Sequence, residues 1–301
     1  MAPGGRLAAN LGLILMVFTW GAFFPILERL LTRWDPYSAT VSRQIVGSAV
    51  LFAFVLGTRR TFPLPISIPW KRLLLLGGVG VAIGSLLTSF GVMLSSGLSS
   101  AIISTTNPVG SALTAAAVYH EPLGRGIILG TILSVIGGLI TVFGGQSLEN
   151  THFRGGEILI VLANVAWTWM SMAAQRWLRG LSQLQIAAFT VGAGAICLLV
   201  LLPVLTASNL VQLHMEFSVE ALGMIAFAGI LPIALGNFLW HYGVSRVGIV
   251  VASMYNNLLP AAALLITVLL GGSFTRLELA GSAVIIAGVF TAQLLAIGRR
   301  F

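Results

Sequence analysis

Charge is what this chain has least of: 8% of its 301 residues are Asp, Glu, Lys or Arg, against roughly 25% in a soluble globular domain. Water is thereby excluded as its main solvent. Asp occurs once, at Asp35, and Lys once, at Lys71; the remaining cations are Arg. A net charge of +8 would suit nucleic acid only if the cations gathered on one face or one helix. Here they stand singly between apolar runs, as interfacial cations do in membrane proteins, so no nucleic-acid partner is expected. The one cysteine, Cys197, excludes an intrachain disulfide and a cysteine metal cluster, and in an apolar run it reads as a small packing residue. His120-Glu121 lacks the second His of a zinc site. No carboxylate falls in the middle of an apolar run, which leaves an intramembrane hydrolase without its groups and gives a proton relay little support. Neither an enzyme nor a cofactor or metal is expected.

What is present is hydrophobic, 57% of the chain, and lies in long runs. A spanning helix needs about 20 apolar residues. Charges, prolines and glycines divide the sequence into ten such runs near 8–31, 36–57, 70–95, 98–119, 124–144, 154–178, 183–206, 217–243, 247–270 and 275–298. The expected class is an all-α membrane protein of ten transmembrane helices, with no length left for a soluble domain. The first run follows Arg6 but shows no small-x-small cleavage site, so it reads as an uncleaved span.

Cytoplasmic loops collect Lys and Arg. Arg6, Arg59, Arg60, Lys71, Arg72, Arg125, Arg176, Arg179, Arg246, Arg299 and Arg300 fall on one side, and Arg29, Arg33, Arg154 and Arg276 on the other. Both termini are therefore expected in the cytoplasm. Because five spans is an odd number, residues 1–148 and 149–301 would form two halves of opposite orientation. A shift of 147 sets Trp20 on Trp167, Arg29 on Arg176 and Gly47 on Gly194; a shift of 152 sets Gly84 on Gly236, Gly91 on Gly243 and Pro108 on Pro260.

Inverted repeats with Pro or Gly interruptions at matching positions point to a solute site near the bilayer midplane. Pro108 and Pro260 deprive the carbonyls of Ser104 and Asn256 of their helical partners, through cavity lining or through a kink satisfied by neighbours; Pro25 and Pro232 are further candidate hinges. Ser100, Ser104, Asn107, Ser111 and Thr114 share one helical face. Asn164, Trp167, Thr168, Ser171 and Gln175 repeat the pattern in span six, and the equivalent face of span one presents Trp20, Phe24 and Glu28. Spans three, eight and nine add Thr88, Trp240, Tyr255, Asn256 and Asn257. Gly80, Gly84 and Gly91 of span three are set opposite Gly236 and Gly243 of span eight, chiefly as close-packing positions. Arg43, inside span two, either meets a solute carboxylate or pairs with Glu28 or Asp35 at the outer rim, the pairing being favoured. His241 is expected at the inner interface, and Glu121 beside Pro122 as a helix-end anchor.

These motifs resemble the drug/metabolite transporter superfamily in its ten-helix form with two EamA-type repeats. The likeness rests on Thr19-Trp20-Gly21-Ala22, Asn107-Pro108, His120-Glu121-Pro122-Leu123, Gly130, Gly137-Gly138, Asn257-Leu258-Leu259-Pro260, Gly281 and Gly288, and it covers nearly the whole chain. In the second half Gly271-Gly272-Ser273 replaces the acidic end of the motif. The resemblance, nearest to YddG-type exporters of aromatic amino acids, implies a multi-pass carrier of the cell (inner) membrane, monomeric or homodimeric, with a central cavity and a small organic solute. Nucleoside, nucleotide-sugar and drug carriers of the same superfamily are the rival reading. They would want several cavity cations or a deep carboxylate, respectively; an intramembrane enzyme or a purely structural membrane protein is more remote.

The orientation has a direct test. With Cys197→Ser as background, Asn150→Cys is expected to react with an impermeant maleimide in intact cells, and Thr61→Cys only after permeabilisation; the reverse pattern contradicts the charge count.

Overall fold

The computed structural model describes residues 3–58, 69–104, 155–208 and 212–269, with isolated positions between 107 and 140 and between 276 and 291. The expectations placed on Pro108, Glu121, Pro122, Leu123, Gly138, Gly271, Gly272 and Ser273, on the loop cations Arg59, Arg60, Arg154, Arg299 and Arg300, and on most of the fifth and tenth spans lie outside the described residues.

The described residues are helical, with no strand and one isolated bridge, Trp34 to Met215. We number the helices α1 (Pro3–Leu30), α2 (Pro36–Gly57), α3 (Trp70–Leu94), α4 (Gly97–Ile103), α5 (Gly156–Trp177), α6 (Gln183–Ala207), α7 (Val219–Val247), α8 (Ile249–Met254) and α9 (Leu259–Leu269). Six are long and apolar enough to cross a membrane: α1, α2, α3, α5, α6 and α7. Their outward faces carry large apolar side chains such as Phe54 and Val200, 62% and 68% exposed, a surface that only lipid covers without penalty. The chain is thus a multi-pass membrane protein.

Local chemistry sets the ends. Asp35 caps α2 by accepting from Ser38 N at 2.9 Å, with Pro36 in the first turn, where a missing N–H is harmless. Ser182 and Gln185 form a capping box at α6, and Ser218 caps α7. Span eight runs further than expected. Gly243 packs rather than terminates, and the break falls at Gly248, whose φ of +86° suits a residue without Cβ.

Two helices depart from α geometry at corresponding places. Leu76–Ile83 of α3 and Gly229–Gly236 of α7 are π-helical. Such wide turns are rare and cluster at functional sites. The helix also tightens to a 3₁₀ turn at Tyr255–Leu258, between α8 and α9, where Pro260 withholds the N–H that Asn256 O would accept. Ser104 has the same tightened geometry.

Glycines bring the long helices together. α3 packs along α5 and α6, while α7 packs along α1 and α2. A Cβ on Gly91 would lie 2.6 Å from Ile160 Cδ1, and one on Gly243 2.5 Å from Leu13 Cδ2; a Cβ on Gly194 would meet Val81 Cβ at 2.6 Å, and one on Gly47 would meet Ile233 Cβ at 2.7 Å. Within each couple the 147 and 152 shifts turn one contact into the other. The small faces of spans three and eight therefore do not oppose each other, contrary to expectation. Each receives a helix from the other half, because the bulky partners are Ile160 on α5 and Leu13 on α1.

Gly194→Val is accordingly expected to lower the melting temperature of the purified protein, overpacking costing about 1–3 kcal/mol. Gly223→Ala, with nothing within 4 Å of its Cβ, should leave it unchanged or raise it. Equal loss in both variants contradicts the close-contact account.

Candidate functional site

Where these helices converge they line a cavity that opens to the outside of the bundle. α1 contributes Trp20, Phe23 and Phe24 to its wall, α2 Arg43, and α3 Gly80, Gly84, Ser85 and Thr88. Ser104 and Asn107 face it from beyond the end of α4, and Ala163, Asn164 and Trp167 from α5. Pro232, Ile233 and Asn237 come from α7 and Leu259 from α9. Of the residues nominated from sequence, Trp20, Arg43, Thr88, Ser104, Asn107, Asn164, Trp167 and Pro232 therefore meet at one place.

The others lie elsewhere. Trp240 sits behind the wall, its Nε1 donating to Ser171 Oγ at 2.8 Å in a fully buried pair. Tyr255, Asn256 and Asn257 are buried around the 3₁₀ turn without lining the cavity. Pro25 lies within a continuous α1. His241 is fully buried in the protein, 0% exposed, with Gln175 Nε2 3.5 Å from its Nδ1. The helix running on to Val247 sets it further from the helix end than one ending at 243 would.

Phe23, Ser85 and Asn237 were not nominated. A stripe drawn at 3.6 residues per turn runs from Gly80 to Gly84 and from Pro232 to Gly236. The π turns widen that spacing to five, and so bring Ser85 and Asn237, each five residues on, into the same wall. Carbonyls here also accept from side chains: Trp20 Nε1 donates to Pro232 O, inside the second wide turn, at 3.0 Å, and Arg43 Nη2 to Ser85 O, two residues past the first, at 3.1 Å.

Arg43 does not pair with either acid suggested for it. Glu28 accepts from Gly97 N at 3.0 Å, and Asp35 is engaged by Ser38 N and His214 N at the α2 cap. Arg43, 2% exposed, instead donates to Ser85 O and to Ser89 Oγ, and its guanidinium stands 4.8 Å from the centre of the Phe23 ring, a cation–π distance. The cations near this end that do find acids are Arg29 and Arg33, which bond Glu216 and Glu220.

The cavity's polar groups are unevenly satisfied. Thr88 and Ser104 hydroxyls donate to carbonyls one turn back, Gly84 O and Ser100 O, each at 2.9 Å. By contrast Arg43 Nε, Asn107 Oδ1, Asn164 Nδ2, Trp167 Nε1 and Asn237 Oδ1 are buried with no protein partner. Buried polar atoms are nearly always paired, and five orphans around one cavity point inward to a polar occupant. Beneath them Trp20 meets Trp167 edge to face and Trp240 at a tilt, with both pairs of ring centres 5.7 Å apart.

An all-helical membrane chain that gathers unpaired donors, acceptors and aromatic rings around a central cavity is built as a solute carrier. The chain belongs to the EamA-like transporter family, whose profile matches residues 7–143 and again 154–293. The two matches begin 147 residues apart, the shift that sets Trp20 on Trp167. "Uncharacterized transporter YdfC" of Bacillus subtilis is 30% identical over 277 residues, covering 91% of this chain and 87% of its own. "Probable terminal-alkyne amino-acid exporter" of Streptantibioticus cattleyicolor is 30% identical over 293 residues, covering 96% and 94%. A solved structure sharing 19% identity superposes with a TM-score of 0.77 over 98% of this chain and 99% of its own, and so has the same fold.

Trp240 and Trp167 differ in one respect that thermal unfolding reads. Trp240→Phe strands the Ser171 hydroxyl, whereas Trp167→Phe removes a donor that had no partner. The first is expected to be less stable than the second by about 1 kcal/mol; the opposite order contradicts the assignment of Trp240 to the scaffold.

Proposed function

We propose that this transporter exports amino acids, aromatic and other neutral ones, together with related small metabolites, by alternating access across the cell (inner) membrane. The carrying observation is the cavity itself, with aromatic rings along its wall and unpaired polar atoms beside them. Trp20, Trp167, Phe23 and Phe24 receive the apolar part of the solute; Asn107 and Asn164 hold its polar ends. The name carried by the Streptantibioticus relative, an amino-acid exporter, supports that solute class.

Ten helices in two inverted halves, residues 1–148 and 149–301, with both termini cytoplasmic, supply the machinery of this reading. Its support is the exchange symmetry of the glycine contacts, Gly91 on Ile160 against Gly243 on Leu13. When two halves pack through equivalent contacts, an inward-open arrangement and its outward-open counterpart are close in energy, and a solute bound at the centre faces either side in turn. The π turns of α3 and α7 lie where each half crosses the other and act as the hinges.

Proteoliposomes containing the pure protein test the proposal. Saturable amino-acid flux above that of empty vesicles is expected. Trp167→Ala or Asn107→Ala should lower it at least about ten-fold, equivalent to roughly 1.4 kcal/mol of lost binding, at unchanged abundance in the membrane. No flux for any amino acid refutes the solute class, while full flux in both variants refutes the site.

A further inference from the structure

We propose that the cavity selects its solutes as monoanions: a carboxylate held by Arg43, joined to an apolar or aromatic body, with the α-ammonium absent or acylated. The inference takes the cavity to be the solute site, as above, and concerns which members of the amino-acid-derived class it prefers.

The first observation is a buried charge without a counter-charge. An Arg side chain keeps its proton in proteins, and a cation within a spanning helix stays only where something compensates it. Arg43 has two neutral acceptors, Ser85 O and Ser89 Oγ, one aromatic face, Phe23, and an Nε with no partner. Among the described acids, Glu28 is engaged by Gly97 N, Asp35 by two backbone N–H groups, and Glu216 and Glu220 by Arg33 and Arg29; Glu157 keeps an unpartnered Oε2 but forms no ion pair with Arg43. None of them lines the cavity. The missing half of the ion pair is therefore the solute's.

The second observation is that the repeat does not impose this charge. The 147 shift that sets Gly47 on Gly194 sets Arg43 on Thr190, a buried hydroxyl bonded to Ile186 O at 2.7 Å. Its counterpart thus fills the same place as a small, locally satisfied group, and helix packing alone requires no cation there. Arg43 is one-sided, as a solute's single carboxylate is.

Charge counting then separates three kinds of solute. A monoanion brings wall and solute to neutrality through a charge-assisted, fork-like contact. A zwitterion leaves one positive charge, and its ammonium finds neutral partners alone, the amide oxygens of Asn107 and Asn237, hydroxyls such as those of Thr88 and Ser104, and aromatic faces, which bind it without neutralising it. An amine without a carboxylate adds a second positive charge to the first, and in a low-dielectric site that is the worst case. The aromatic wall of Trp20, Phe23 and Trp167 fits the body in each case, so the charged groups decide.

Three compounds that share one phenyl-ethyl body carry the test: 3-phenylpropionate, phenylalanine and phenethylamine. Binding to the purified full-length protein in nanodiscs is expected to fall in that order, with at least about a ten-fold step from the anion to the zwitterion. Arg43→Gln should reduce that step to under about three-fold, and Arg43→Lys, which keeps the charge, should retain most of it. If phenylalanine binds as tightly as 3-phenylpropionate or more tightly, the anion preference is overturned while amino-acid export stands. If no member of the series and no other amino acid binds or is carried, both fall. Should Arg43→Gln fail to fold, the order in the wild type together with Arg43→Lys decides the question.

Discussion

Inside a bilayer no water is available to a backbone N–H or C=O, so each must find its partner within the protein. That constraint makes the chain helical throughout the described residues, and it gives every departure from the α-helix a meaning. The π turns at Leu76–Ile83 and Gly229–Gly236 and the 3₁₀ turn at Tyr255–Leu258 re-route backbone bonding, and Leu259 N donates to Asn256 O at the last. At or just past the first two, side chains reach carbonyls: Arg43 donates to Ser85 O and Trp20 to Pro232 O. The same bonds hold the two cavity residues richest in chemistry at fixed positions. Irregular backbone and central cavity are thus one feature rather than two.

Close approach of the long helices follows from glycine. Without a hydrophobic effect between helices in lipid, contact depends on small residues that let backbones meet. Gly47, Gly77, Gly91, Gly194, Gly229 and Gly243 occupy such places, each with a side chain or backbone atom where its own Cβ would be. Because the contacts come in exchangeable couples, α3 leans on α5 as α7 leans on α1. A wall that rigid lets five buried polar atoms stay unpaired around the cavity without the helices closing over them.

Much of this was legible in the residues. Hydropathy and breaks located the six long helices to within a few residues, and the polar stripe Ser100, Ser104, Asn107 and Ser111 is buried as its spacing required. Trp20 and Trp167, matched by their shift alone, touch in space. What escaped the sequence shares a physical origin. A pattern read at 3.6 residues per turn has no place for a five-residue turn, so Ser85 and Asn237 were passed over. Ion pairing was the default partner for Arg43, yet the acids suggested for it are bound to backbone N–H groups at helix ends, an engagement that residue spacing does not display. Gly243, expected to end its helix, packs on Leu13 instead, and the helix runs on to Val247.

The most direct measurement is an experimental structure of the protein in lipid, determined with a transported solute at saturation. The account predicts that the solute lies in the central cavity, with its carboxylate within hydrogen-bond distance of Arg43 and its body against Trp20 and Trp167. Solute bound instead in the lipid-facing groove beside Phe52 and Trp70, with Arg43 still held only by Ser85 and Ser89, would contradict it.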